Sequence, residues 1–188
     1  MKSESGSWRA EWIWASRSFG MNEFTYFRKS LMITRPVRRA VLRGTAHNHY
    51  RAMVNGERVS GEVVPAPSNP EKSKLYNQYD VTAHIRLGEN VLSAAVCYLG
   101  GSGQNYVDGV PGLRMQLELT YPDGSAETFG TDCSWKCLSD TPYQNHTEFS
   151  HRRRIGPMEV FDARKEPEGW QRPGFSDGDW QDAVPAPE

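Results

Sequence analysis

The 188 residues carry 22 Lys and Arg against 23 Asp and Glu, a formal net charge of −1, and are 37% hydrophobic and 11% aromatic. Such a balance excludes a general nucleic-acid or anionic-membrane binder, which needs a basic footprint. No apolar run is long enough to span a bilayer, and the 17 glycines and 12 prolines favour short strands joined by turns over long helices.

In chain order, the N-terminus from Met1 to Arg9 is polar. It has no apolar core of signal-peptide length, which points to a cytoplasmic chain or to a piece of a longer one. Strands are expected over 24–33 and 37–45. Tyr50, Ala52 and Val54 alternate before Asn55-Gly56, with Val59 beyond; Asn-Gly is a strong two-residue hairpin signal because both residues tolerate positive φ. Residues 65–74, rich in Pro, Ser and charge, read as a surface loop. Residues 81–87 read as one helical turn or a loop. Residues 91–99 are almost continuously apolar, as in a strand covered on both faces.

Residues 100–111 form a glycine-rich loop between two strands. It bears Gln104, Asn105, Tyr106 and Asp108. An aromatic platform beside amide and carboxylate hydrogen-bonders is the chemistry that holds a sugar, and loops on a rigid scaffold are where binding residues sit; the other reading is a plain connector. Leu113, Met115, Leu117 and Leu119 then alternate with Arg114, Gln116, Glu118 and Thr120, giving a strand with one core face and one wet face. The turn Pro122-Asp123-Gly124 predicts a return strand over 126–129. Residues 139–156 are irregular and contain His151-Arg152-Arg153-Arg154, an anion site or a solvated loop. A last strand is expected over 158–162, and Pro185-Ala186-Pro187 reads as linker. Strands with turn signals at short intervals mean a sandwich or barrel.

Signals for chemistry are sparse. Cys97, Cys133 and Cys137 are an odd count without zinc spacing, and read as reduced thiols. His47 and His49 would share one face of a strand, which suits a metal, but no third ligand lies near and they read as surface histidines. Glycoside hydrolysis needs two carboxyls flanking the bond. Glu159, Asp162, Glu166 and Glu168 cluster in sequence but read as structural, with Asp162 or Glu159 pairing Arg164. No catalytic residues are assigned. Trp12, Trp14, Trp135 and Trp170 read as packing residues, whereas Tyr106 and Tyr143, in loops, are candidates to stack on a sugar.

Several patterns together carry a resemblance: Trp12-Ile13-Trp14-Ala15; Asn22, Phe24 and Phe27-Arg28-Lys29; Tyr50-Arg51-Ala52-Met53-Val54-Asn55-Gly56; Tyr76 with Tyr79-Asp80-Val81-Thr82; Leu87-Gly88 with Asn90-Val91; Pro111-Gly112-Leu113; Thr131-Asp132 with Ser134-Trp135-Lys136; and Glu159-Val160-Phe161-Asp162-Ala163-Arg164. Their order and spacing resemble the N-terminal β-sandwich domain of bacterial α-L-rhamnosidases (glycoside hydrolase family 78), a galactose-binding-like module. The resemblance implies an all-β, jelly-roll-like two-sheet sandwich over residues 8–166. Residues 167–188, with Gly169-Trp170, Phe175, Asp177, Trp180 and Ala183, resemble a linker and the start of a further sandwich module.

The resemblance also implies a larger parent with an (α/α)6 catalytic domain, against which this part would pack as a non-catalytic accessory domain. The alternative is a self-standing module binding L-rhamnose or a rhamnose-containing glycan. Some relatives use calcium, held by an Asp-Asn pair before the hairpin strand and by the loop before Pro-Gly. The matching positions here are His47-Asn48, Asn105 and the carbonyl near Pro111, with Asp108 beside them. The implied metal ligands are therefore Asn48, Asn105 and Pro111, and the implied sugar contacts are Asn48, Gln104, Asn105, Tyr106 and Asp108. Histidine in place of the acidic ligand is a poor match for so hard a cation. Neither nucleic acid nor membrane is an expected partner.

Overall fold

The alternation over 113–119 becomes the central strand of one sheet, and the continuous apolar run over 91–99 becomes the central strand of the other. In this computed structural model, residues 8–61, 64–103, 106–150 and 156–187 are described. The strands are β1 (Ile13–Trp14), β2 (Glu23–Ile33), β3 (Arg39–His47), β4 (His49–Val54), β5 (Glu57–Arg58), β6 (Asn77–Asp80), β7 (Gly88–Tyr98), β8 (Gly112–Thr120), β9 (Ala126–Gly130), β10 (Lys136–Leu138), β11 (Phe149–Ser150), β12 (Gly156–Pro157), β13 (Gln181–Asp182) and β14 (Val184–Pro185). No α-helix occurs among the described residues, only 3-10 turns such as Thr82–His84.

Two antiparallel sheets face each other. The first runs β14-β1-β8-β3-β6, with β9 sharing an edge of β8, and the second runs β13-β10-β2-β7-β4-β5. Leu113, Met115, Leu117 and Leu119 point inward and are fully buried; they meet Phe27, Leu92, Ala94 and Val96 from the opposite sheet, with Trp14 and Trp135 in the same core. The expected hairpin forms, with Asn55 at φ 54° and Gly56 at φ 85°, the left-handed pair that a two-residue turn matched to strand twist requires. Asn55 also knits the neighbourhood. Its Nδ2 donates to the His84 carbonyl at 2.8 Å and to Asn90 Oδ1 at 2.9 Å, and its Oδ1 accepts from Val91 N–H at 2.7 Å.

Three elements differ from expectation. The outer face of β8 is not wholly wet: Gln116 is buried because its Oε1 accepts the amide hydrogens of Arg9 and Ala10 at 2.6 and 3.2 Å, so the N-terminal segment lies over it. Residues 158–162 form no ladder. The nearest strand, β12, ends just before it, and the stretch itself carries an isolated bridge, Phe161 to Tyr143. Residues 167–187, expected to include a linker, carry a strand in each sheet: β13 pairs β10 and β14 pairs β1.

The outer face of the second sheet is covered in large part. Phe24, Tyr26, Met53, Ala95, Tyr143, Trp170 and Trp180 make a second apolar cluster there, which is why β7 reads as apolar on both faces. Arg28, fully buried, anchors that cover. Its Nε donates to the Trp170 carbonyl at 2.9 Å, and it pairs with Asp177. The sandwich core and this outer layer together bury Trp14, Trp135 and Trp170 as expected of packing residues.

Candidate functional site

Register sets the outer face of the second sheet. Outward residues pair across β4, β7 and β2 in rows: His49 with Cys97 and Phe24, then Arg51 with Ala95 and Tyr26, then Met53 with Ser93 and Arg28. Alternate residues of a strand share a face, so the middle strand presents Ser93, Ala95 and Cys97. These side chains are small and both flanking strands carry large ones, so a trough runs along β7. Tyr143, residues 157–161 and the C-terminal segment line part of it and leave two hollows that meet at Arg51 and Ala95. One, of about 330 Å³, is lined by Phe24, His49, Arg51, Cys97, Pro157 and Glu159 among others. The other, of about 200 Å³, includes Tyr26, Tyr143, Glu166 and Trp170.

The groups in the trough have defined roles. The Arg51 guanidinium donates to the Tyr143 hydroxyl, and the nearby Glu159 carboxylate reinforces its charge. Tyr143, a candidate stacking residue, is buried between Phe24, stacked at 4.0 Å between ring centroids, and Phe161 at 4.8 Å. Glu166 Oε1 accepts from Trp170 Nε1 at 2.7 Å and its Oε2 from the Tyr26 hydroxyl at 2.8 Å. Asp162 takes two hydrogen bonds of 2.8 Å from the Arg164 guanidinium. Two of the four clustered carboxylates are thus tied into structure, Asp162 to Arg164 as the sequence reading allowed. Burial pushes the Cys97 thiol up to about 12.

The loop site lies at one end of the sandwich. Asn48 is buried, and its Oδ1 accepts from Leu99 N–H at 2.7 Å. Asp108 is exposed; its Oδ1 accepts from its neighbour Gly109 N–H at 2.8 Å and from the Tyr98 hydroxyl at 3.3 Å. Tyr106 is half-buried and lines a small hollow with His47, Asn48, His49, Ser68 and Lys74. Pro111 is buried. Gln104 and Asn105 lie outside the described residues, as does the run 151–154. The loop therefore brings Asn48 and Tyr106 to one hollow but leaves Asp108 outside it.

His47 and His49 differ from surface histidines. They end β3 and begin β4, on different sheets, with Asn48 between them. Loop 65–74 folds back over them, and Lys74 Nζ donates to His47 Nδ1 at 2.7 Å. Burial first, and then the Lys74 charge, lower the His47 pKa to about 4; burial lowers Lys74 to about 8.

The described residues at this end do not fit calcium. The ion needs six to eight oxygens, usually with carboxylates. Asn48 Oδ1 is committed to a backbone amide, a lysine amine stands in the same hollow, and among the described residues no group of three His, Cys, Asp or Glu side chains is arranged to hold a metal. The sequence showed the missing acid at position 47, but nothing in it placed Lys74 there. The trough was also missed. Its walls come from three strands whose alignment only the pairing register sets.

The comparisons with known proteins agree among themselves. The family model described as the alpha-L-rhamnosidase N-terminal domain matches residues 35–188. An alpha-L-rhamnosidase from Streptomyces avermitilis is 36% identical over 151 residues, which cover 77% of this chain and 14% of that protein. Among solved structures, the family 78 rhamnosidase of Bacillus sp. GL1 superposes with a TM-score of 0.85 at 32% identity, over 97% of this chain and 19% of its own. The Streptomyces avermitilis enzyme solved in complex with L-rhamnose gives 0.76 at 32% identity, over 88% and 16%. The chain thus spans a fifth or less of the length of these relatives.

Proposed function

Because the chain belongs to the α-L-rhamnosidase N-terminal domain family, we propose that it works as a non-catalytic accessory domain of a longer glycosidase, packing against the remainder and contacting carbohydrate. One observation carries the reading: almost all of the chain is used in a single sandwich that matches 19% of a rhamnosidase. Two features support it. Glu166 and Asp162 are tied to Tyr26, Trp170 and Arg164, so they are not poised as an acid and base across a cleft. Met21, Met158, Val160 and Phe161 stand about half exposed on two segments joined through Asn22, Thr147 and Met158. Clustered exposed apolar side chains are what a neighbouring domain covers.

The test is direct. The purified 188-residue chain is incubated with an aryl α-L-rhamnoside and is expected to release no phenol. A parent enzyme lacking this segment is expected to melt earlier than the intact one. Turnover by the chain alone, lost on replacing a carboxylate in it, would overturn the reading.

A further inference from the structure

We propose that the trough along β7 is a saccharide-binding groove, with one pyranose unit seated over Ala95 and Cys97 between Arg51 and Glu159. The inference rests on the carbohydrate part of the reading above and places the contact away from the loop over 100–111.

Small side chains on β7 and large ones on β2 and β4 make a depression without any loop having to move. The larger hollow, about 330 Å³, lies at the low end of small-molecule clefts, which suits one sugar ring better than a long buried chain. The second hollow, about 200 Å³, continues from it past Arg51 and gives a neighbouring unit somewhere to go.

Charge narrows the ligand class. Arg51, Cys97 and Glu159 line the same hollow, and the Glu159 carboxylate favours the charged form of Arg51. An anionic ligand meets Glu159 and a cationic one meets Arg51. A neutral ligand rich in hydroxyls satisfies both, donating to the carboxylate and accepting from the guanidinium. The floor of Ala95, Cys97 and the Phe24 edge is apolar, which matches the C–H face of a pyranose. Glu159 is exposed and lines the larger hollow, so it stands at the rim.

The experiment uses the purified chain with L-rhamnose and D-glucose as probes, followed by amide chemical-shift changes and by calorimetry. Binding of either sugar, with shifts at residues 49, 51, 95 and 97, is expected. Glu159→Gln should weaken it about tenfold, as expected for losing a charged hydrogen-bond partner. Cys97→Leu, which fills the floor, should abolish it; if that variant melts early, Glu159→Gln decides alone. Binding that both variants leave unchanged, with shifts confined to 100–111, overturns the groove and leaves carbohydrate binding standing. No binding of either sugar overturns the groove and the carbohydrate part together, while the packing role survives.

Discussion

Arg28→Met tests whether the C-terminal segment is held by the sandwich. Methionine keeps the methylene stem and removes the charge. The guanidinium is 1% exposed and pairs with Asp177, whose side chain is 28% exposed. It also donates to the carbonyls of Trp170 at 2.9 Å and Arg172 at 3.4 Å and lies 5.2 Å from the Phe175 ring centroid. Breaking a buried pair costs about 3–5 kcal/mol. Asp177 can rehydrate in part, so the loss should sit near the lower end, about 3 kcal/mol, or about 6–12 °C in melting temperature for a domain of this size. The assay is thermal unfolding followed by circular dichroism, with limited proteolysis of residues 167–188 alongside. A double-mutant cycle with Asp177→Asn isolates the pair and should return a coupling of about 1–3 kcal/mol. A change below about 1 kcal/mol, the level of an exposed pair, with no new cleavage, would refute the reasoning.

Further outcomes are expected. Asn55→Ala loses three hydrogen bonds and strains a position at φ 54°; urea unfolding should show a loss of about 2–4 kcal/mol. Of the three thiols, exposed Cys133 should react quickly with a disulfide reagent. Cys137, buried and pushed up to about 11, should react only on unfolding, and half-buried Cys97, pushed up to about 12, should lag well behind Cys133, because the thiolate is the nucleophile; three equally fast thiols would count against the burial described. Calcium in excess, or its removal by a chelator, should leave the melting temperature unmoved, whereas a ligand of the folded state would raise it.

Much of the fold was legible locally. The alternation over 113–119 reports one strand with a buried face, because side chains two apart share that face. Asn55-Gly56 reports its own turn through the φ values that it tolerates. The continuous apolar run in β7 reports a strand covered twice. Two-residue strands such as β1, β13 and β14 left no trace, since a period needs several repeats to be seen, and so residues 167–187 did not read as part of the sheets.

The site divides in the same way. By itself the sequence determined the sandwich, the family resemblance and the absence of an acid at position 47. The tertiary structure decided what surrounds that position: loop 65–74 carries Lys74 onto His47, a contact 27 residues apart in the chain. It also decided that Cys97, Ala95 and Arg51 border one trough, because hydrogen-bond register aligns β2, β7 and β4. Periodicity assigns a residue to a face; only pairing between distant strands assigns it neighbours.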